Sequence, residues 1–437
     1  MTTTQSHALY ERAVRVTTAG VHSNSRARKP YPLYFQRADG PFVWDVDGHR
    51  YIDLGMGNGA ILLGHNHAAV QEAVARTLQS GLTTGLESEI AVRAAELFVK
   101  LVPAAEQVRF TNTGTEALLH VLQMARAYTG RRKIAKVEGA YHGWADPVFV
   151  STWPNLALAG PDGAPVALPG TGGLDPKIVR ETLVLPLNDL AATEALLSQH
   201  ASELAAILVE PTLIDAGFIP AEREYLLMLR DFADKTGTVL VFDELLTGFR
   251  LALGGAQSYY NIQADLALFG KALGNGYPVA AVAGKAAFME QSAPGPGNAA
   301  FVGTFNGHAV VMAAVEASLQ ELASGEAVAL LQTRTHALIE AFAASAKRHG
   351  VPAQMQGCGG HIHWYFTGEP VRTYRQAARA SSQRYSAFVD VLAESGFLVS
   401  PNYLLHHAIS VAHNDATLEA LAEAMDRGLA AAAQTEE

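Results

Sequence analysis

The sequence predicts an α/β protein: a large domain on a mostly parallel central sheet, and a small α+β domain assembled from both ends of the chain. Three observations predict it. Between about residues 105 and 290, short apolar runs alternate with helical stretches, at Lys133–Val137, Ala206–Val209, Val239–Phe242, Leu266–Phe269 and Val279–Ala283. β-Branched runs bounded by Gly or Pro, with helices between them, suit a parallel sheet covered on both faces. The two ends follow other patterns, with a hairpin signal early and long Ala/Leu-rich helices late. The expected division is 1–65 for the N-terminal part of the small domain, 66–315 for the large domain and 316–437 for the C-terminal part.

In chain order, residues 8–20 read as a short helix. Two alternating runs, within 42–53, flank Asp47-Gly48, a dipeptide that favours hairpin turns. Residues 67–80 and 87–101 carry helical periodicity. The sheet region follows, interrupted at 151–181 by a Gly/Pro/Ala-rich stretch that reads as a long loop of the kind that forms lids or partner contacts. After about 315 come the helices, then alternation at His361–Phe366 and a further run near Leu398–Ser410.

Of the 437 residues, 49% are apolar and 17% charged, against about 25% charged on average. So few charges argue against disorder and suggest that another subunit covers part of the surface. The balance is 32 basic to 42 acidic residues, a net charge of -10. A nucleic-acid binder carries a basic stripe; the nearest thing here, Arg26-Ala27-Arg28-Lys29, is too short. The single Cys358 excludes an intramolecular disulfide and a multi-cysteine metal site, and fits a reducing compartment. The first residues lack a signal-peptide pattern, and no uncharged apolar run reaches the roughly 18 residues of a membrane span. The expectation is a cytoplasmic protein with neither nucleic-acid nor membrane partners.

Asp243 ends an apolar run, so it lies where open α/β sheets bind ligands; alternatively it caps the next helix. Lys271 follows another run, among small residues. A lysine buried there would be a nucleophilic amine; alternatively it is a surface lysine at a turn. Together they are the two groups a pyridoxal phosphate enzyme needs, a Schiff-base lysine and an acid that keeps the pyridine nitrogen protonated. Thr111–Ala117 supplies a phosphate site, because a Gly and hydroxyls open a helix there, although Thr113 or Thr115 also reads as a plain N-cap. Gly139–Trp144 offers an aromatic ring to stack on a planar cofactor.

These segments resemble a class III (subgroup II) aminotransferase of the fold-type I pyridoxal phosphate superfamily, most like glutamate-1-semialdehyde aminomutase. The matching motifs are Thr-Asn-Thr-Gly-Thr-Glu-Ala at 111–117, Tyr-His-Gly at 141–143, Glu210-Pro211, Phe-Asp-Glu-Leu-Leu-Thr-Gly-Phe-Arg at 242–250, Gly-Lys-Ala-Leu-Gly-Asn-Gly at 270–276 and Gly-Thr-Phe-Asn-Gly at 303–307. The resemblance implies that Lys271 holds the cofactor and shuttles the proton, and that Asp243 pairs with the ring nitrogen. Thr113, Gly114 and Thr115 would bind the phosphate, Tyr141 would stack on the ring beside His142, and Glu210 would lie near the phenolic oxygen. Leu245 replaces a usual Val on the ring face. Thr304 would reach the neighbouring subunit's cofactor, which makes the protein an obligate homodimer.

For substrate, the resemblance points to Arg26, since a guanidinium takes a carboxylate bidentately; the alternative is a surface residue of the basic run. Arg250 fits a structural pair better. The chain departs from the aminomutase at Asn58, which stands where a Trp is usual, and at Leu405, where an acid faces the diamino intermediate; 151–181 also lacks its gating sequence. His406 and His407 are unusual there, and read either as substrate contacts or as ordinary loop residues. The expected activity moves an amino group between a carboxylate-bearing amino acid, β- and D-amino acids included, and a 2-oxo acid. The alternatives are a lyase, a racemase, an aminomutase-type isomerase or a cofactor-binding protein without catalysis.

Overall fold

The computed structural model describes residues 3–435; Met1 and Thr2, on which the reading of the chain's first residues partly rests, lie outside them. Numbering only the strands of the central sheet, β1 is Gln107–Thr111, β2 Lys133–Val137, β3 Thr182–Leu185, β4 Leu204–Val209, β5 Val239–Glu244, β6 Leu266–Gly270 and β7 Ala280–Gly284. They lie in the order β1-β7-β6-β5-β4-β2-β3. β3, β2, β4, β5 and β6 pair in parallel, and β7 is antiparallel to both neighbours. Every residue of β4, β5, β6 and β7 is buried. That double coverage is why these strands read as continuous apolar runs. A mostly parallel central sheet is the architecture expected of the large domain.

This topology places the chemistry. With β7 alone reversed, the carboxyl ends of β1, β2, β4, β5 and β6 open on the same side. The residues leaving them (Gly114, Tyr141, Glu210, Asp243 and Lys271) are thereby collected. Val279, which enters β7, arrives at the same edge for the opposite reason. Behind it, Phe98 of the helix Glu89–Leu101 packs edge-on against Phe110, Phe249 and Phe269, with ring centroids 6.4, 5.9 and 5.1 Å away.

The chain ends meet over this edge. The hairpin forms at Asp47-Gly48, with Phe42–Asp45 antiparallel to Arg50–Asp53 and Gly48 at φ 89°. Phe35–Asp39 adds a third strand. Phe397–Leu398 joins in parallel from the other end of the chain. Asn275, just past Lys271, docks the N-terminal segment: its side chain accepts from the amides of Leu62 and Leu63, both at 2.9 Å, and donates to Gly64 O at 3.1 Å. A second small sheet is Gln354–Cys358, His361–Tyr365 and His407–Ala408.

Several elements differ from expectation. The helix expected over 8–20 is Thr4–Ala13, followed by a separate turn at Thr18–Gly20, because the β-branched Val16-Thr17-Thr18 run is a poor helix former. The run near 398–410 is two dipeptide strands on different sheets, split at the turn around Pro401. The stretch 151–181 is largely irregular, with the short helix Pro176–Arg180 near its end. The helix Ala309–Leu322 runs through the expected 315/316 boundary. No helix among the described residues is long and apolar enough to cross a membrane.

Candidate active site

Asp243 stands next to last in β5 and is almost fully buried. Its Oδ2 lies 2.8 Å from His142 Nδ1, and its Oδ1 accepts from the Leu245 amide at 3.1 Å. His142 is wholly buried. Burial lowers its pKa more than the neighbouring Asp243 raises it, so the ring is neutral, with the Nδ1 proton donated to the carboxylate. The imidazole fixes the orientation of Asp243 from behind. Its Nε2 has no hydrogen-bond partner among the described residues.

Lys271 follows β6 directly and is half-buried. Its φ of 49° lies in the left-handed region, which costs a non-glycine residue about 1–3 kcal/mol. That strain turns the chain so that the side chain lines a cavity of about 210 Å³. Asp243, Glu210 and Asp215 line the same cavity. Glu210 accepts from the amides of Tyr141 at 2.8 Å and Ile214 at 3.3 Å. Burial, then the carboxylates of Asp243 and Asp215, push its pKa well above the usual range. Asp215 goes the other way. Burial opposes its ionisation, but Lys271 and His406 outweigh burial and lower its pKa.

A third wall is shaped for an anion. The helix Gly114–Thr129 opens with a capping box: Thr113 accepts from the Glu116 amide, and Glu116 returns a bond to the Thr113 amide. First-turn amides have no acceptor inside their own helix. Thr113 satisfies that of Glu116, leaving those of Gly114 and Thr115, which line the cavity, for an anion at the positive end of the helix. The wall also needs its glycines. A Cβ at Gly143 would collide with Thr115 Oγ1, and one at Gly114 would lie 2.6 Å from Leu245 Cδ1.

The aromatic wall sits on the loop after β2. Tyr141 stacks on Trp153 with ring centroids 5.5 Å apart, and Phe149 meets both rings edge-on. Trp153 Nε1 donates to the carbonyl of Asp215 at 2.6 Å. This loop hangs on Lys136 of β2. The Lys136 ammonium is fully buried and donates to Ala140 O at 2.8 Å, Val150 O at 2.7 Å and Thr152 Oγ1 at 3.2 Å.

Thus Gly114, Thr115, Tyr141, Glu210, Asp243, Leu245 and Lys271 line one cavity, with His142 behind Asp243. Thr113 serves as the helix cap. Thr304 and Asn58 are exposed, and Arg26 is exposed on the turn Asn24–Arg26. Arg28 instead reaches inward, to Val399 O at 3.0 Å. Arg250 is fully buried and, among the described residues, pairs with no acid: it donates to the carbonyls of Gly59 at 2.8 Å and Gly359 at 3.1 Å. Leu405 is half-buried, and His406 and His407 are both buried. His407 accepts from the Ser400 amide at 3.0 Å, and His406 lies 3.3 Å from Asp215. Sequence reasoning missed Gly143, Asp215, Leu246 and Val279 as cavity residues. Asp215 carried a usable signal, an acid just beyond a strand end.

A family model described as aminotransferase class-III matches residues 23–425. Glutamate-1-semialdehyde 2,1-aminomutase of Chloroflexus aurantiacus is 38% identical, over 98% of this chain and 98% of that protein. Among solved structures, an omega-transaminase from Sphaerobacter thermophilus superposes with a TM-score of 0.93 at 36% identity, over 98% of this chain and 97% of that one. A transaminase with pyridoxal phosphate bound superposes with a TM-score of 0.89 at 30% identity, over 98% of each chain.

Proposed function

This chain belongs to the class-III aminotransferase family, and from that premise we propose that it moves an amino group between a carboxylate-bearing amino acid, β- and D-amino acids included, and a 2-oxo acid. The cofactor is pyridoxal 5'-phosphate. The residues fit it. The glycine cradle at 114 and 143 and the two first-turn amides suit the phosphate, and the His142-oriented Asp243 suits a protonated ring nitrogen. When bound, the cofactor takes up the electron pair left as a bond next to the substrate nitrogen breaks.

The protein's own groups do the rest. Lys271 Nζ holds the cofactor covalently and, once released, carries a proton between carbon atoms. Asp243, fixed by His142 Nδ1, keeps its charge aimed at the ring nitrogen. Glu210 accepts from the amides of Tyr141 and Ile214 and so fixes the loop that carries Tyr141. Tyr141, held by Glu210 and stacked on Trp153, supplies a flat apolar face, and Leu245 supplies another.

The observation that carries this reading is the convergence of Lys271, the Asp243–His142 pair and the helix N-terminus on one cavity. Mixing the holoenzyme with a panel of amino acids and following conversion of the cofactor's visible band to the pyridoxamine form tests it. Ammonia release without any 2-oxo acid would sink it. A second reading, a 2,1-aminomutase, is favoured by the 38% identical relative. It predicts turnover of glutamate-1-semialdehyde with no 2-oxo acid added. Against it stand Leu405 and Asn58 in place of the expected acid and Trp.

The same reading includes a cytoplasmic homodimer. Thr304 lies in an exposed segment with Val302 74% and Phe305 58% accessible. That segment borders the site: Asn306 Oδ1 accepts from Asn112 at 3.2 Å, and Phe301 stacks on His120 at 4.0 Å. Exposed apolar rings beside a cavity favour a covering subunit. Arg26, exposed in one chain, is the proposed carboxylate ligand.

A further inference from the structure

One wall of the cavity is left without an assignment. The helix N-terminus serves phosphate, Asp243 serves the ring nitrogen, and Tyr141 and Leu245 flank the ring. The remaining wall is Asp215, backed by His406 where the C-terminal segment closes over the cavity. His406 Nδ1 lies 3.3 Å from Asp215 Oδ1, yet among the described residues neither ring nitrogen has an aligned hydrogen-bond partner. The His406 side chain is only 1% exposed. His361 packs edge-on against it, with centroids 4.9 Å apart. Burial keeps the His406 pKa below its ordinary value against the pull of Asp215, so the imidazole is neutral and does not cancel the carboxylate.

Among the chain's own groups, the cation facing Asp215 is Lys271. On the functional reading above, on which this inference rests, Lys271 is committed to the cofactor. Asp215 then faces the cavity with only a neutral imidazole beside it. A carboxylate in such a place is costly without a cationic or hydrogen-bond-donating partner, and a second carboxylate brought near it is repelled.

We propose that Asp215 and His406 form a substrate subsite for a second ammonium group, so that the preferred amino donors are diamines or amino acids carrying a distal amine, and dicarboxylic amino acids are disfavoured. Trp153 belongs to the subsite as a positioning residue, since its indole N–H holds the Asp215 carbonyl. His406 acts through its close approach to the Asp215 carboxylate, at 3.3 Å.

The test uses the holoenzyme and matched pairs of donors: 1,5-diaminopentane against pentylamine, and D- and L-lysine against D- and L-norleucine, with D- and L-glutamate alongside. Conversion of the cofactor band gives kcat and KM for each half-reaction. The expected result is a KM at least about tenfold lower for the diamino member of a pair, and glutamate the poorest donor. Asp215→Asn is expected to bring the lysine-to-norleucine ratio of kcat/KM close to one, and His406→Phe to reduce that ratio in part. Equal or better use of norleucine, pentylamine or glutamate by the unaltered enzyme overturns the subsite, without needing either variant to fold. So does conversion by other amino acids but by no diamino compound. Conversion by no amino compound at all overturns the transaminase reading beneath it instead.

Discussion

Replacing Lys136 by Met tests whether the aromatic wall of the site is held by one buried ammonium. Met keeps the length and apolar stem but removes the donors to Ala140 and Val150. Ala140 O would keep the Thr152 hydroxyl, at 3.1 Å, whereas Val150 O loses the ammonium altogether. Hydrogen bonds to a charged group are worth about 1.5–3 kcal/mol each, so two amount to about 3–6 kcal/mol. Against that, burial pulls the lysine down to a pKa of about 7, opposed by Glu210 and Glu138; the charge is therefore costly to bury. Replacing buried ionic groups by apolar ones recovers about 1–4 kcal/mol. The net expectation is a loss of about 2 kcal/mol, read as a lower denaturant midpoint at unchanged slope. Because the tethered loop carries Tyr141 and His142, cofactor affinity should fall about tenfold as well. A variant within about 0.5 kcal/mol of the parent refutes the hydrogen-bond accounting. A destabilised variant that binds cofactor normally refutes the tether.

Gly143→Ala places a Cβ against Thr115 Oγ1 at a residue whose φ is 86°. Cofactor retention on dialysis should drop at least tenfold, and undiminished retention would show that the cradle tolerates a methyl group. Thr304→Ala should weaken cofactor retention with little change in the unfolding midpoint; identical retention removes Thr304 from the neighbour's site. Asp426 joins the helix Glu326–His349 to the C-terminal helix Asp415–Ala433. The Ser345 hydroxyl first, then Arg348 and His349, hold its pKa near about 2. A carboxylate depressed from about 3.9 on folding adds stability that is present above pH 4 and lost as the pH falls through 2. Asp426→Asn should therefore flatten the acid dependence of the unfolding midpoint between those values, and an unchanged acid slope would speak against the ion pair.

The strand ends were legible because the parallel sheet writes itself as short apolar runs, and Asp243 and Lys271 stand where two of those runs stop. The helix after Thr113 announced itself by the Gly and hydroxyls at its start, although not by the capping box that closes it. Lys136 was hidden by the rule that usually serves: a lysine in a strand is taken to face water, and only the returning loop at 140–152 supplies the carbonyls that let it stay inside. The Asp215–His406 contact spans nearly two hundred positions and depends on how the small sheet His361–Tyr365 docks, which no local pattern encodes. Arg250 was expected to make a structural pair; its partners are two glycine carbonyls from distant parts of the chain, and backbone acceptors leave no mark in a sequence.

Leu245 has a consequence for how this site can change. Its δ methyls lie 2.6 Å from where a Cβ would stand at both Gly114 and Gly270. At Gly114, the three nearest neighbours of that Cβ all belong to Leu245, and the first atom beyond its methyls is Cγ at 3.5 Å. At Gly270 a backbone carbonyl, Val279 O, stays 3.1 Å away whatever occupies 245. The two glycines are therefore unequal under drift. An alanine at 114 becomes admissible once 245 shrinks to valine, and a reversion to leucine is then blocked until 114 reverts first. At 270 no such ratchet exists, because the constraint there is written into the main chain.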